Sequence, residues 1–218
     1  MAAPVLSALQ LRDILDAPAR AHRIDLVGAV ALPRRLAHGP AYLAWLRDGR
    51  HGGLEYMGRD PVDRLDPTRG RDWAASLLVF AQRYANGWDP DDTDAREGCH
   101  GGRPWTAGVS RYARGDDYHD VLRRSIRRLT QSLREELHRR GVLRAEADLV
   151  AQDAVDAGPF LEREYAWLAG FGFYGKNTML IHPHLGSALF LGVALTNLRI
   201  TGLAEAPRPL LGPPAARA

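Results

Sequence analysis

The stretch "AGFGFYGKNTM", residues 169–179, decides the fold class because it satisfies two phosphate-binding patterns at once. Gly170, Gly172 and Gly175 have the G-x-G-x-x-G spacing of dinucleotide-binding proteins. Gly170, Gly175 and Lys176 have the G-x-x-x-x-G-K spacing of a phosphate loop. Both patterns bind phosphate only where a strand leads into the glycines and a helix follows, since the first N–H groups of that helix receive the phosphate. The flanking residues therefore decide whether this is a nucleotide site.

The flanking sequence has the opposite order. "PFLEREYAWLAG" (159–170) repeats its apolar residues at helical spacing, and Pro159 suits a first helical turn. "TMLIHP" (178–183) and "SALFLGVALTNL" (187–198) are apolar runs typical of strands. In addition, Asn177 stands where a phosphate loop has Ser or Thr. Because the order is helix, glycine turn, strand, we interpret the glycines as a helix C-cap and a tight turn, not as a nucleotide site.

The remaining apolar patterns predict an irregular mixture of helices and strands. Helices are predicted over 7–22, 41–49 and 117–140, with Ser7 as N-cap and Leu9 among the apolar residues of the first, and strands over 24–30, 73–84 and 147–155. Residues 85–108 are rich in glycine and acidic residues without periodicity, which is typical of a functional or disordered loop. Since strands and helices do not alternate strictly, we predict an α+β fold, a mixed α/β sandwich in a single domain.

Bulk composition excludes several classes of protein. A chain of 218 residues with 45% hydrophobic and 25% charged residues can bury a globular core, and a net charge of +3 is too small to indicate nucleic-acid binding without a local patch. We find neither an apolar run of membrane-spanning length nor a signal peptide, so we expect a cytoplasmic protein with no membrane partner. Cys99 is the only cysteine, which excludes a disulfide framework or an iron–sulfur cluster built from this chain alone. The oligomeric state is left open.

Several polar residues fall where predicted elements end, and such positions tend to converge on one cleft. They are Asp116, Asp117, Tyr118 and His119 before the long helix, Asp156 after a strand, and Lys176 and Asn177 in the glycine turn. Asp156 is a candidate proton donor whose pKa a closed pocket could raise. The competing interpretations are that Asp117 caps the helix, Asp156 holds a turn and Lys176 is solvated. His182 and His184 are too few and too close to make a metal site.

The long helix also carries a concentration of arginines away from its apolar residues. The seven are Arg123, Arg124, Arg127, Arg128, Arg134, Arg139 and Arg140. A solvated basic face is the simpler interpretation, and a contact with RNA phosphates is the alternative.

Five blocks in this order across residues 42–198 resemble the N-terminal, cobalamin-binding domain of epoxyqueuosine reductase. The blocks are "YLAWLRDGRHGGLEYM" with "DRLDP", "RYARGDDYHDVLRRSIRRL", "VDAGPFLERE" and "AGFGFYGKNTMLIHPHLGSALFLGVALTNL". Members of that family remove the epoxide oxygen from epoxyqueuosine in tRNA, the last step of queuosine synthesis. The resemblance implies a nitroreductase-like fold and a glycine turn that lies against the corrin.

The resemblance also assigns roles to individual positions. The aspartate that the family uses as its proposed general acid falls on Asp156. The positions that line the cobalamin pocket in the family fall on Arg64, Ser110, Arg163, Lys176 and Asn177. Arginine and lysine suit the amide and phosphate groups of cobalamin.

The sequence departs from the family after residue 198. The full-length enzymes continue into a ferredoxin-like segment with two four-cysteine runs for iron–sulfur clusters, and then into helical repeats. Here 199–218 hold four Pro, two Gly and five Ala, so we expect a catalytic-type domain over 1–198 and a low-complexity, disordered tail. We therefore expect a truncated or split enzyme that receives electrons from a separate ferredoxin-like donor. The alternatives are a non-catalytic corrinoid-handling protein and a non-catalytic RNA-binding module.

Overall fold

The computed structural model describes residues 3–84, 99–100, 103–104, 110–113, 115–156, 158–203 and 208–212. Within these residues the helices are α1 (Ala8–Ala21), α2 (Gly39–Arg47), α3 (Pro61–Leu65), α4 (Tyr118–Arg139) and α5 (Glu162–Leu168). The strands are β1 (Val5–Ser7), β2 (Leu26–Ala31), β3 (Ser76–Arg83), β4 (Cys99–His100), β5 (Arg103–Pro104), β6 (Ala151–Ala154), β7 (Phe173–Tyr174), β8 (Leu180–Ile181), β9 (Leu189–Thr196) and β10 (Arg199–Thr201). Most of the predicted loop over 85–108 lies outside the described residues.

A four-stranded antiparallel sheet in the order β2-β3-β9-β6 forms the centre of the molecule. Val79 on β3 pairs with Gly28 on one side and Val193 on the other. The inner strands read as nearly continuous apolar runs because both faces of the sheet are covered. Side chains that point to opposite faces of a strand then both need to be apolar.

Helices α1 and α4 cover one face of this sheet, and α5 with the residues around it covers the other. The five apolar residues of α4 that recur at helical spacing, Leu122, Ile126, Leu129, Leu133 and Leu137, are fully buried against the sheet and α1. Their recurrence every three or four residues places them on one side of the helix, and Gly141 follows the helix with a positive φ of 71°. The mixed α+β fold is thus confirmed, whereas its nitroreductase-like relationship stays a prediction.

The predicted helix boundaries hold best where a cap is present. The Ser7 hydroxyl accepts a hydrogen bond from the backbone N–H of Gln10, and Oε1 of Gln10 accepts one from the backbone N–H of Ser7, which is a capping box. Asp117 caps α4 as predicted. Leu9 is an exception among the apolar residues predicted for α1. It lies on the solvent side of this helix and is 69% exposed.

The order of helix, glycine turn and strand around residues 169–179 is confirmed. Gly170 and Gly172 have positive φ values of 80° and 151°, and a Cβ on Gly172 would lie 2.1 Å from the carbonyl oxygen of Ile181. These glycines therefore let the chain leave α5 and form the short β7–β8 hairpin. Two of the elements are shorter than predicted. Helix α5 begins at Glu162 and not at Pro159, and only Leu180–Ile181 of "TMLIHP" is strand.

The prediction that 199–218 does not pack is wrong for the described part of that segment. Arg199–Thr201 forms β10, which pairs in parallel with β1, and Leu211 forms an isolated bridge with Val27. Leu203, Leu210 and Leu211 pack against the core cluster beneath α1. The leucines bury apolar surface that the proline- and alanine-rich composition conceals. None of the described helices is both long enough and apolar enough to cross a membrane.

Candidate functional site

A cavity of about 1030 Å³ opens where α2, the start of α4, the loop before α5, the β7–β8 hairpin and the start of β9 meet. Its aromatic wall consists of Tyr42, Trp45, Tyr56, Tyr84, Tyr112, Tyr118, Phe160, Tyr174 and Phe190. Flat apolar rings with a few polar groups between them are typical of a site for a large, partly apolar ligand.

Asp156 lies in the wall of this cavity, two residues after the end of β6. Its backbone has a positive φ of 53°, a conformation that aspartate tolerates better than most residues. The Tyr118 hydroxyl donates a hydrogen bond to Oδ2 of Asp156. Tyr118 is itself held by stacking on Phe190, with ring centroids 4.3 Å apart. The carboxyl group is therefore positioned by a rigid aromatic neighbour and remains half exposed to the cavity.

His119 connects Asp156 to the helix cap. Its Nε2 lies 3.5 Å from Oδ2 of Asp156, and its Nδ1 lies 2.7 Å from Oδ1 of Asp117. The ring therefore lies between the two carboxyl groups, with one ring nitrogen toward each. Burial and the hydrogen bond to Asp156 raise the pKa of Tyr118, which keeps its proton on oxygen. These residues, which the sequence placed at element ends, do meet in one cluster.

Glu162, at the start of α5, is a second carboxyl group in the cavity wall. Its Oε1 is buried and has no hydrogen-bond partner among the residues that the structure describes. Its pKa is raised to about 7, mainly by burial and in smaller part by the nearby Asp156 carboxylate, while Arg64 opposes the shift. Glu162 lies within the "LERE" stretch, where no local pattern distinguishes it from Glu164.

Two of the residues assigned to the pocket, Arg64 and Arg163, line the cavity. Arg64 is 5% exposed and donates to the carbonyls of Gly158 and Tyr56 at 2.9 and 3.1 Å. Arg163 donates to the carbonyl of Thr178 at 2.8 Å. Both guanidinium groups hold cavity loops together through backbone carbonyls, and Nε of Arg64 is buried without a partner in the described chain.

The other three assigned residues lie outside the cavity wall. Lys176 and Asn177 are exposed at the tip of the hairpin, where Oδ1 of Asn177 accepts the backbone N–H of Met179 at 3.1 Å. Ser110 is also exposed and does not line the cavity. Their contact with a cofactor stays a prediction. Of the five assigned residues, only Arg64 and Arg163 are positioned to contact a ligand in the cavity.

A cluster on the opposite wall was not anticipated. His38 donates a backbone N–H to Glu164 at 3.2 Å, and its ring contacts the same carboxylate, which also accepts from Tyr174 at 3.3 Å. Glu164 is only 3% exposed, and it raises the pKa of Tyr174 after the larger effect of burial. His38 and Glu164 lie 126 positions apart, so no local pattern could have joined them.

The "HPH" histidines belong to a turn. Nδ1 of the buried His182 accepts the backbone N–H groups of His184 and Leu185, both at 3.1 Å. Burial lowers the pKa of His182, so its ring stays neutral and keeps accepting these bonds. This ring nitrogen therefore serves the local backbone.

Comparisons with known proteins agree with this architecture. The family model described as epoxyqueuosine reductase QueG, DUF1730, matches residues 64–148, from α3 through α4. The epoxyqueuosine reductase of Aliivibrio fischeri is 30% identical over 161 residues, covering 74% of this chain and 39% of that protein. The enzyme of Vibrio cholerae is 32% identical over 161 residues, again covering 74% of this chain and 40% of the relative.

Solved structures with the same fold are those of epoxyqueuosine reductases. A crystal structure of the enzyme with an epoxyqueuosine-modified tRNA-Tyr stem loop superposes with a TM-score of 0.71 at 23% identity, over 93% of this chain and 48% of that one. The Streptococcus thermophilus enzyme superposes with a TM-score of 0.68 at 21% identity, over 89% of this chain and 48% of that one. The chain thus spans about two fifths of the length of the curated relatives it matches. The resemblance drawn from its motifs is confirmed, and this chain carries a domain related to the epoxyqueuosine reductases.

Proposed function

We propose that the cavity binds cobalamin and that the chain is a catalytic domain for reductive removal of the epoxide oxygen from epoxyqueuosine in tRNA. The observation that carries the proposal is the cluster of Asp156, Tyr118 and His119 in the wall of a large aromatic cavity. It supplies a proton donor with two further proton-bearing groups in contact with it, in the place where a ligand would bind.

The residues present fit a corrinoid. A cavity of about 1030 Å³ whose walls are lined by aromatic rings suits a flat macrocycle. The polar groups at the edge of the ligand would meet Arg64 and Arg163. Buried polar atoms without partners in the described chain, Nε of Arg64 and Oε1 of Glu162, remain to be satisfied at this wall. When bound, cobalamin supplies the reducing chemistry that amino-acid side chains lack.

The protein's own part in the reaction is proton delivery and positioning. The epoxide oxygen leaves carbon as water, which requires two protons in addition to two electrons, and Asp156 is placed to donate the first. Tyr118 and His119 orient its carboxyl group and lie next to it as further proton-bearing groups. We propose that a low-potential donor outside these 218 residues supplies the electrons, because Cys99 alone cannot hold an iron–sulfur cluster.

A binding experiment tests the cofactor. Titrating the purified protein with cobalamin and following the visible spectrum of the corrin should show about one site per chain, and Arg163→Ala should weaken binding more than Lys176→Ala. No spectral change and no co-elution with the protein would refute the proposal. ATP or NAD binding abolished by Lys176→Ala would instead support the phosphate-loop interpretation of the glycine turn.

A second candidate is a corrinoid-handling protein without turnover, which would use the same cavity. Incubating the cobalamin-loaded protein with epoxyqueuosine-containing tRNA and a chemical low-potential reductant separates the two. Conversion to queuosine supports the enzyme, whereas stable cobalamin binding without conversion supports the handling protein.

A further inference from the structure

A basic groove of about 670 Å³ lies on the outer side of α4, next to the edge strand β6 of the central sheet. Its basic residues are Arg123, Arg124, Arg127, Arg128 and Arg134, and Asp153 on β6 lies among them. Because the apolar side of α4 is buried against the core, the exposed part of the helix presents mainly guanidinium groups.

The five arginines divide into those that hold the groove together and those that do not. Arg127 lies 3.1 Å from the carboxylate of Asp153, Arg123 lies 3.7 Å from the same group, and Arg134 donates to the carbonyl of Leu149 at 3.2 Å. Arg124 and Arg128 are exposed and make no hydrogen bond or ion pair with any residue of the described chain. They are four residues apart, so both guanidinium groups project on the same side of the helix.

Both walls of the groove lead to the cavity. On α4, His119 lines the cavity and Asp120 lines the groove. On the other wall, Asp153 lines the groove and Asp156, three residues later, lines the cavity. At a rise of about 1.5 Å per residue, Arg128 lies roughly 15 Å along the helix from Tyr118. The groove and the cavity are therefore neighbours, and a polymer lying in the groove could place one of its units near Asp156.

We propose that this groove binds the phosphate backbone of RNA and guides a nucleotide into the cavity. Arginine pairs with phosphates in a fixed two-pronged geometry, and a row of such groups along a helix matches a polymer with one charge per unit. A membrane surface fits less well, because an interfacial helix also needs an exposed apolar face and that of α4 is buried. The inference rests on the proposed function for the identity of the RNA.

The test measures binding of the full chain to an unmodified tRNA anticodon stem loop by fluorescence anisotropy over a range of salt concentrations. The double variant Arg124→Ala, Arg128→Ala removes the two unpaired arginines without lowering helix propensity. The matched control, Arg139→Ala, Arg140→Ala, removes the same charge from the far end of α4, where both side chains contact Glu136. Cobalamin binding is measured on each variant in parallel.

We expect the groove variant to bind the stem loop roughly tenfold more weakly than the original protein. The slope of the logarithm of the binding constant against the logarithm of salt concentration should be less steep by about one to two. The affinity of the control should change by less than about twofold. Equal losses in both variants, no loss in either, or no RNA binding by the original protein would overturn the inference. So would binding to anionic lipid vesicles that depends on Arg124 and Arg128 where RNA binding does not. If the RNA results are as expected and cobalamin does not bind, the groove stands and the proposed function fails.

Discussion

Asp156 combines an uncommon backbone conformation with a carboxyl group that two other side chains contact. A positive φ outside glycine costs on the order of 1 kcal/mol, and it persists where neighbouring contacts compensate it. Here Tyr118 and His119 contact the side chain, and Arg64 holds the following loop through the carbonyl of Gly158. The conformation turns the carboxyl group toward the cavity, which is the property that proton donation requires.

Asp156→Asn should retain cobalamin and lose turnover, because the amide keeps the shape of the carboxyl group but has no acidic proton. General acid catalysis contributes about 10²–10⁴-fold, so the rate with an external reductant should fall by that factor. The matched control is Asp117→Asn: asparagine caps a helix as well as aspartate, so stability should change by about 1 kcal/mol or less and turnover should stay nearly intact. An unchanged rate for Asp156→Asn would move the donor role to Tyr118 or His119.

Glu162 makes the stability of the protein depend on pH. Its pKa rises from an ordinary value of 4.5 in the unfolded chain to about 7 in the folded protein, mainly through burial. The folded state therefore binds more protons than the unfolded state in this window, and stability is lost as pH rises through about 7. Glutamine does not titrate, so Glu162→Gln removes this loss. The free energy of unfolding of the variant minus that of the original protein should therefore increase by roughly 2 to 3 kcal/mol from pH 4.5 to pH 7.

Urea denaturation of the two proteins at several pH values across this window measures that difference. The slope with pH is the informative quantity, since a constant offset could arise from any change in packing. If the stability curves of Glu162→Gln and the original protein run parallel, Glu162 is not the group that titrates.

At the scale of elements, β2 packs closely against the end of α5 on the face of the sheet that α5 covers. A Cβ on Gly28 would lie 2.6 Å from Cβ of Ala169 and 2.8 Å from the ring of Phe171. Real Cβ atoms do not approach other atoms this closely, so the helix end can rest on the strand only because position 28 has no side chain.

Gly28→Ala should therefore lower the free energy of unfolding by about 1 to 3 kcal/mol, the usual cost of inserting a methyl group into a packed core. Thermal or chemical denaturation measures it. Gly53→Ala is the control, because the added Cβ meets nothing within 4 Å and the residue does not have a positive φ. That change should be neutral or slightly stabilising, and an equal loss at both positions would contradict the packing argument.

At the scale of the whole molecule, the segment after β9 closes the core. Arg199–Thr201 adds a strand beside β1, and Leu211 returns to Val27 at the free edge of β2. Leu203, Leu210 and Leu211 shield buried residues of α1 and β2 from water. The N-terminal strand and the C-terminal segment thus stabilise one core together.

A chain ended after Leu198 should be less stable by at least about 2 kcal/mol, because it loses β10 and the apolar surface that these leucines cover. Chemical denaturation compares it with the full chain. A chain ended after Gly212 is the control, since it keeps every residue that packs in the described structure, and its stability should match. Equal stability of all three chains would restore the interpretation of 199–218 as a tail that does not pack.

The sequence by itself determined the elements whose signals are local. Helix α4, its cap at Asp117 and the reversed order around the glycine turn follow from spacings of three and four residues and from backbone positions that only glycine accepts. Those signals were sufficient to predict that the glycine turn is not a nucleotide site, and the combination of motifs was sufficient to identify the relatives. They also placed Asp156, Tyr118 and His119 at element ends, from which their meeting in one cleft could be expected.

Only the tertiary structure decided which distant residues meet and which candidates line the cavity. The pairing of β2, β3, β9 and β6, the contact of His38 with Glu164 and the docking of Leu211 on Val27 join positions far apart in the chain. Such contacts depend on how the whole core packs, because apolar burial has no direction and leaves no local pattern. For the same reason Lys176 and Asn177, which match a family motif, lie outside the wall, while Glu162 is turned into it with one oxygen buried.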